Sequence, residues 1–161
     1  MSEPENIVVG RDNWMDVGVF VVVRDASSRF LLVKHNYGQK KWSLPGGKLE
    51  QAELVPVGAK REVQEETGLE VEIGELVGMF PLRLKRGLVI LFEAIKTGGI
   101  LYPENGEISE CRYWRINEID SSEIYPAQLA LLYRAECFRN NGRNLIHDWL
   151  IPYPSYSRGG D

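Results

Sequence analysis

The sequence predicts an α/β fold in which a β-sheet is covered by helices on both sides. Three observations lead there. Runs rich in β-branched and aromatic residues stand both before and after segments of helical pattern. One of those segments carries a proline at its start and a glycine just past its end. The chain has 161 residues, 43% of them hydrophobic, which suits one core and leaves little for a second. Residues 1–161 are therefore read as a single domain, with an N-terminal arm over 1–12 and a C-terminal tail over 143–161.

The first strand runs from Trp14 to Val23 (WMDVGVFVVV), and Phe30 to Val33 repeats its character after the turn-forming Asp25-Ala26-Ser27-Ser28, which predicts a β-hairpin. A polar stretch from His35 to Lys41 leads to Trp42-Ser43-Leu44 and then to Pro45-Gly46-Gly47. That breaker lets the backbone turn sharply and approach a ligand closely. A helix follows over Val55 to Thr67, with Pro56 in the first turn, where a missing N–H costs nothing, and Gly68 just beyond the end. Leu69, Val71 and Ile73 then alternate with Glu70 and Glu72. After Gly74 the apolar runs Leu76 to Leu84 and Leu88 to Ile95 flank Lys85-Arg86-Gly87 as a second hairpin. Gly98-Gly99 and Pro103 to Gly106 mark a loop, and Arg112 to Arg115 reads as a short strand. Ile124, Leu131, Ala135 and Phe138 form a helical stripe ending near Asn140-Asn141-Gly142. In the tail, Trp149 and Tyr153 suggest docking rather than disorder.

Composition narrows the function classes. A formal charge of -4 leaves no general excess of basic residues to neutralise a nucleic-acid backbone. Cys111 and Cys137 are the only cysteines and form no metal-type pair, as expected of reduced residues in a cytoplasmic protein. The polar, acidic start lacks the pattern of a signal peptide, and no apolar stretch approaches the ~20 residues of a membrane helix.

The chemistry is concentrated between Gly47 and Leu69. At about 100° per residue, Glu62, Glu65 and Glu66 fall within a ~100° arc of the helix, while Pro56, Ala59 and Val63 cluster on a neighbouring face able to pack on the sheet. Like charges at these spacings destabilise a bare helix by roughly 0.2 to 0.5 kcal/mol per pair, and carboxylates at a helix C-terminus oppose its dipole. A bound cation reverses that sign. Oxygen-only ligands without His or Cys select a hard ion, so Mg²⁺, with Mn²⁺ as substitute, is favoured over zinc. Arg61, one turn before Glu65, is placed to pair with it or to orient another carboxylate.

These residues fit one spacing: Gly47, five residues, Glu53, seven residues, Arg61, Glu62, an aliphatic Val63, one residue, Glu65, Glu66, one residue, Gly68 and an aliphatic Leu69. With common residues at roughly 5 to 7%, such a match arises by chance on the order of once in a billion starts. The segment resembles, without departure, the signature of the Nudix (MutT-like) hydrolases. The resemblance implies an α/β/α sandwich with a mixed sheet and a pyrophosphohydrolase that cleaves the diphosphate linkage of a nucleoside diphosphate derivative. It further implies that Glu62, Glu65 and Glu66, with the Gly47 carbonyl, ligate Mg²⁺. Arg61 and Glu53 would orient the cluster, with Gly68 closing the motif. Homodimers are frequent in the family, although no residue here marks an interface.

The same resemblance places a general base on a later loop, for which Glu107, ranked above Glu110, occupies the expected segment. Lys40, Lys41, Arg83, Lys85 and Arg86 lie on or beside loops able to border substrate phosphates, and Tyr37, Trp42 and Phe80 are candidates to stack a base. The partner is thus a small-molecule nucleotide: a nucleoside triphosphate, ADP-ribose or another nucleotide sugar, or a dinucleoside polyphosphate. A nucleotide-sugar-binding regulator without turnover stands as the alternative. Isomerisation of a diphosphate lipid and removal of an RNA cap rank below the main reading.

Overall fold

A computed structural model of the chain describes residues 15–82, 87–103 and 106–140; Trp14, the N-terminal arm and the C-terminal tail lie outside them. The strands are β1 (Asp16–Val23), β2 (Phe30–His35), β3 (Trp42–Ser43), β4 (Gly46–Lys48), β5 (Leu69–Pro81), β6 (Gly87–Gly99) and β7 (Ile108–Trp114). Among the described residues two α-helices accompany them, α1 (Val55–Thr67) and α2 (Pro126–Asn140), with a 3-10 turn at Ile116–Glu118.

The strands form two sheets. One has four strands in the order β4-β1-β6-β5, with β1 parallel to β6 and antiparallel to β4; the other has three in the order β3-β2-β7. The mixed sheet expected of the α/β/α sandwich is therefore present. The first hairpin is a correction: β1 and β2 belong to different sheets, and their pairing stops at a bridge between Arg24 and Phe30 next to the turn. The turn itself forms as its residues dictate, for Asp25 Oδ1 accepts the N–H groups of Ser27 and Arg29, each at 2.9 Å. Beyond it the strands part, because both are apolar on two faces and each finds a longer partner elsewhere. Eight residues of β1 pair with β6, and six of β2 with β7.

Two cores result. Val19, Val21, Val23 and Leu31 pack with Ala59 and Val63 of α1, while Val22, Phe30, Leu32 and Leu91 pack with Leu131, Leu132 and Ala135 of α2. The helices so cover opposite sides, as the alternation of elements predicted. Within α1, Ala59 and Val63 are fully buried, but Pro56 faces solvent rather than the sheet. No side chain caps the start of α1 and no basic residue sits in its last turn. Its stability comes from the packed face, about 1.5 to 3 kcal/mol for a fully buried valine, and from Gly68. That residue adopts φ 70° and donates its N–H to the Gln64 carbonyl at 2.8 Å.

The second hairpin forms as expected between β5 and β6, although Gly74 does not interrupt β5; the strand continues through register shifts on either side of Leu76. β7 begins at Ile108, ahead of the expected Arg112. Ile124 lies just before α2 and bridges Trp42, while Gln128 Oε1 accepts the Leu44 N–H at 3.2 Å. The start of α2 thereby pins the chain leading into Gly46.

Candidate active site

Two glycines bring the helix carboxylates against the backbone. Gly46 adopts φ 148°, and a Cβ there would lie 2.2 Å from the Val19 carbonyl, so no other residue fits. Its N–H donates to Glu66 Oε2 at 2.9 Å. A Cβ on Gly47 would stand 2.7 Å from Glu62 Oε1. The close approach expected at this breaker is thus first of all an approach of Glu62 and Glu66.

Arg61 organises the other end. Its Nε and Nη2 grip the two oxygens of Glu53 at 2.8 and 3.0 Å, while Nη1 reaches Glu62 at 3.0 Å and Glu65 at 3.1 Å. This forked grip is the strong form of a carboxylate bond. It holds the Glu53 carboxyl down at about 2, helped by the Glu50 N–H, and Arg61 is correspondingly more basic than usual. The loop that delivers Glu53 crosses α1 at Gly58, where a Cβ would lie 2.4 Å from Leu49 Cδ2 and 2.7 Å from Glu53 Oε2. Sequence reading passed over Gly58, since a glycine inside a helix announces no crossing partner.

The three glutamates of the expected anionic face meet different surroundings. Glu65 is half exposed, Glu62 is largely covered, and Glu66 is 6% exposed. Burial pushes Glu66 up to about 8, against the pull of the Gly46 N–H and with added repulsion from Glu62, Glu107 and Glu65. Burial also raises Glu62, more than Arg61 lowers it.

Glu107, on the loop before β7, stands close enough for its charge to be felt at Glu66, His35 and Tyr37. Glu110 is placed elsewhere: it pairs with Arg112 at 2.7 Å and lines a separate cavity of about 260 Å³ with Lys34, Trp42 and Trp114. Trp42 is 5% exposed and packs edge-on against Trp114, so it is a core residue and presents no face to a base. Phe80 is half-buried against the α2-side core, with Arg134 over its ring. Tyr37 is exposed beside the acidic cluster, where burial and the charges of Glu107, Glu66 and Glu62 raise its hydroxyl pKa. Lys41 is half-buried and Lys40 exposed on the same segment; Arg83, Lys85 and Arg86 lie outside the described residues.

Sequence reading also missed His35. Its Nε2 is 2.8 Å from Ser43 Oγ, its Nδ1 is buried without a hydrogen-bond partner, and burial lowers its pKa against the pull of Glu107. No signal in the sequence marks it, because Ser43 and Glu107 reach it from two other segments.

The donor set suits a hard dication: oxygen ligands only, with a buried Glu66 carboxylate that accepts the Gly46 N–H. As placed, no group of three His, Cys, Asp or Glu side chains among the described residues converges enough to hold an ion. Glu62 and Glu65 are instead held on Arg61 Nη1, at 3.0 and 3.1 Å.

Comparison with known proteins identifies the family. The chain is 33% identical over 131 residues to a "MutT-like protein" of Streptomyces ambofaciens, a match covering 80% of this chain and 82% of that one. It is 34% identical over 104 residues to an "8-oxo-(d)GTP phosphatase" of Mycolicibacterium smegmatis, covering 63% of this chain and 32% of that longer protein. A crystal structure of a NUDIX hydrolase from Nitrosomonas europaea superposes with a TM-score of 0.71 at 29% identity, over 80% of this chain and 74% of that one. Residues 14–134 match the family model of the NUDIX domain. The chain therefore belongs to the Nudix family and is a pyrophosphohydrolase, an enzyme acting on phosphoric anhydride bonds.

Proposed function

We propose that the chain hydrolyses the diphosphate linkage of a nucleoside diphosphate derivative in the presence of Mg²⁺, with an oxidised nucleoside triphosphate first among its substrates. The observation that carries this reading is the buried Glu66 carboxylate on the Gly46 N–H, with Glu62 packed against Gly47, beside an Arg61 whose two-point grip is on Glu53. The substrate preference is supported by the name of the mycobacterial relative. Glu62, Glu65, Glu66 and the Gly47 carbonyl would hold the metal, and Mn²⁺ would substitute. Such an ion, when bound, screens the charge of the phosphates and lowers the pKa of water.

The chain's own groups do the rest. Glu107 takes a proton from the attacking water, whose oxygen forms a bond to phosphorus as the bridging P–O bond breaks and the leaving phosphate departs with that electron pair. Arg61 keeps Glu53 fixed, and so keeps the loop from Lys48 to Leu54 against α1. Lys40 and Lys41 offset phosphate charge as substrate arrives, and Tyr37 offers a ring to the base. Among the described residues no helix is long and apolar enough to cross a membrane.

The test is a panel of 8-oxo-dGTP, ADP-ribose and diadenosine tetraphosphate with Mg²⁺, followed by nucleotide and phosphate release. Turnover of 8-oxo-dGTP at the highest kcat/KM is expected. Turnover of another compound first corrects the substrate, and tight binding of ADP-ribose without product from any compound would favour a sensor over an enzyme.

A further inference from the structure

We propose that Asn36 is a positioning residue that fixes the backbone of Glu107 beside the acidic cluster; the inference rests on Glu107 serving as the base. Asn36 directly follows β2. Its backbone N–H donates to the Glu107 carbonyl at 2.7 Å, and its side-chain Nδ2 donates to the Gly106 carbonyl at 3.1 Å. One residue so grips two consecutive carbonyls of the loop that carries the base.

Packing does not supply that grip. Gly106 and Glu107 are both exposed, and a Cβ built on Gly106 meets nothing within 4 Å. The downstream side, by contrast, is firmly set. Ile108 is 5% exposed and pairs with His35, while Lys34 pairs with Glu110, so Ser109 is an extra residue on β7. Its hydroxyl donates to the Lys34 carbonyl at 3.1 Å. A bulge of this kind bends a strand and redirects the residues beside it. Glu107 therefore sits between a buried anchor and the Asn36 clamp, and its charge reaches Glu66, His35 and Tyr37. Without the Nδ2 bond the Gly106 carbonyl loses its amide donor, while the Asn36 N–H still holds the Glu107 carbonyl. Small displacements of a catalytic group are costly, since roughly 1 Å can lower a rate 100-fold.

The experiment compares Asn36→Ala, Asn36→Asp, Glu107→Gln and the Asn36→Ala/Glu107→Gln double variant in the full chain. Each is assayed with Mg²⁺ and whichever of 8-oxo-dGTP, ADP-ribose and diadenosine tetraphosphate the unmodified protein turns over fastest. Asn36→Asp keeps the size of the side chain and removes the amide donor. Expected is a drop in kcat of about 10-fold for both Asn36 variants, KM within about twofold, and an unchanged cooperative melt. Glu107→Gln should lose about 100-fold or more in kcat, and adding Asn36→Ala to it should cost nothing further.

Full kcat in both Asn36 variants, or losses that multiply in the double variant, overturns the inference while leaving Glu107 as the base. Full kcat in Glu107→Gln overturns the base and the inference together. Loss of the cooperative melt in both Asn36 variants overturns it in favour of a purely structural role.

Discussion

Glu53 and Glu66 belong to the same loop-helix unit, yet the fold treats their charges in opposite ways. Glu53 receives a two-point grip from Arg61 and titrates at about 2, so its charge is compensated within the protein. Glu66 is buried, accepts the Gly46 N–H and is pushed up to about 8. One end of the unit is finished as folded, and the other is left short of positive charge. That asymmetry supports the proposed dication site at Glu66, because an uncompensated buried carboxylate gains more from a cation than a paired one.

The largest expected effect breaks the comparison at its middle. Glu62 touches both ends, since it contacts Arg61 and backs onto Gly47. Glu62→Gln should lower kcat/KM by at least about 100-fold with an unchanged fold, the scale of losses around metal sites. Steady-state kinetics with the circular dichroism spectrum checks this, and wild-type kinetics would remove the acidic end from the chemistry.

A second measurement sharpens the comparison through pH. For Glu66 the folded pKa of about 8 exceeds the ordinary 4.5, so between those values the folded state binds more protons than the unfolded one. Stability from this group is full below about 4.5 and is lost as pH rises through about 8. In EDTA the melting temperature should fall across that window, by an amount worth on the order of a few kcal/mol, and Mg²⁺ should restore more at its upper end. Glu66→Gln should flatten the slope, since an amide oxygen still accepts the Gly46 N–H. Glu53 carries the opposite sign: its contribution is present above 4.5 and disappears as pH falls toward about 2.

The smallest effect concerns the compensated end. Gly→Ala inside a helix ordinarily gains about 1 kcal/mol. Gly58→Ala should instead lower the melting temperature, because its methyl group would displace Leu49 and the Glu53 carboxylate from Arg61. A rise in melting temperature would show that the loop yields without cost.

Much of this was legible before any coordinates. The bounds of α1, with Pro56 and Gly68, follow from local preferences, and α1 runs over Val55–Thr67 as the sequence predicts. The acidic signature is legible for the same reason, since its residues lie within one short segment and their spacing maps directly onto helix geometry. What was not legible depends on distant partners. Trp42 reads as a core residue more readily than as a stacking ring, and Trp114 placed beside it decides for the core. Glu107 and Glu110 are near neighbours in the sequence, but a bulge and an ion pair with Arg112 send them to different surroundings. Asn36, His35 and Gly58 carry no local mark, because each acquires its significance from a segment far along the chain.

By itself, the sequence determined the α/β class, the helix with its acidic signature and the family, since these rest on periodicity, turn chemistry and residue spacing within short windows. Only the tertiary structure decided that β1 and β2 part into separate sheets, that Arg61 neutralises Glu53 and that Glu66 is left buried against one N–H. Strand partners and local dielectric are set by what packs from elsewhere in the chain, and no window of sequence contains that information.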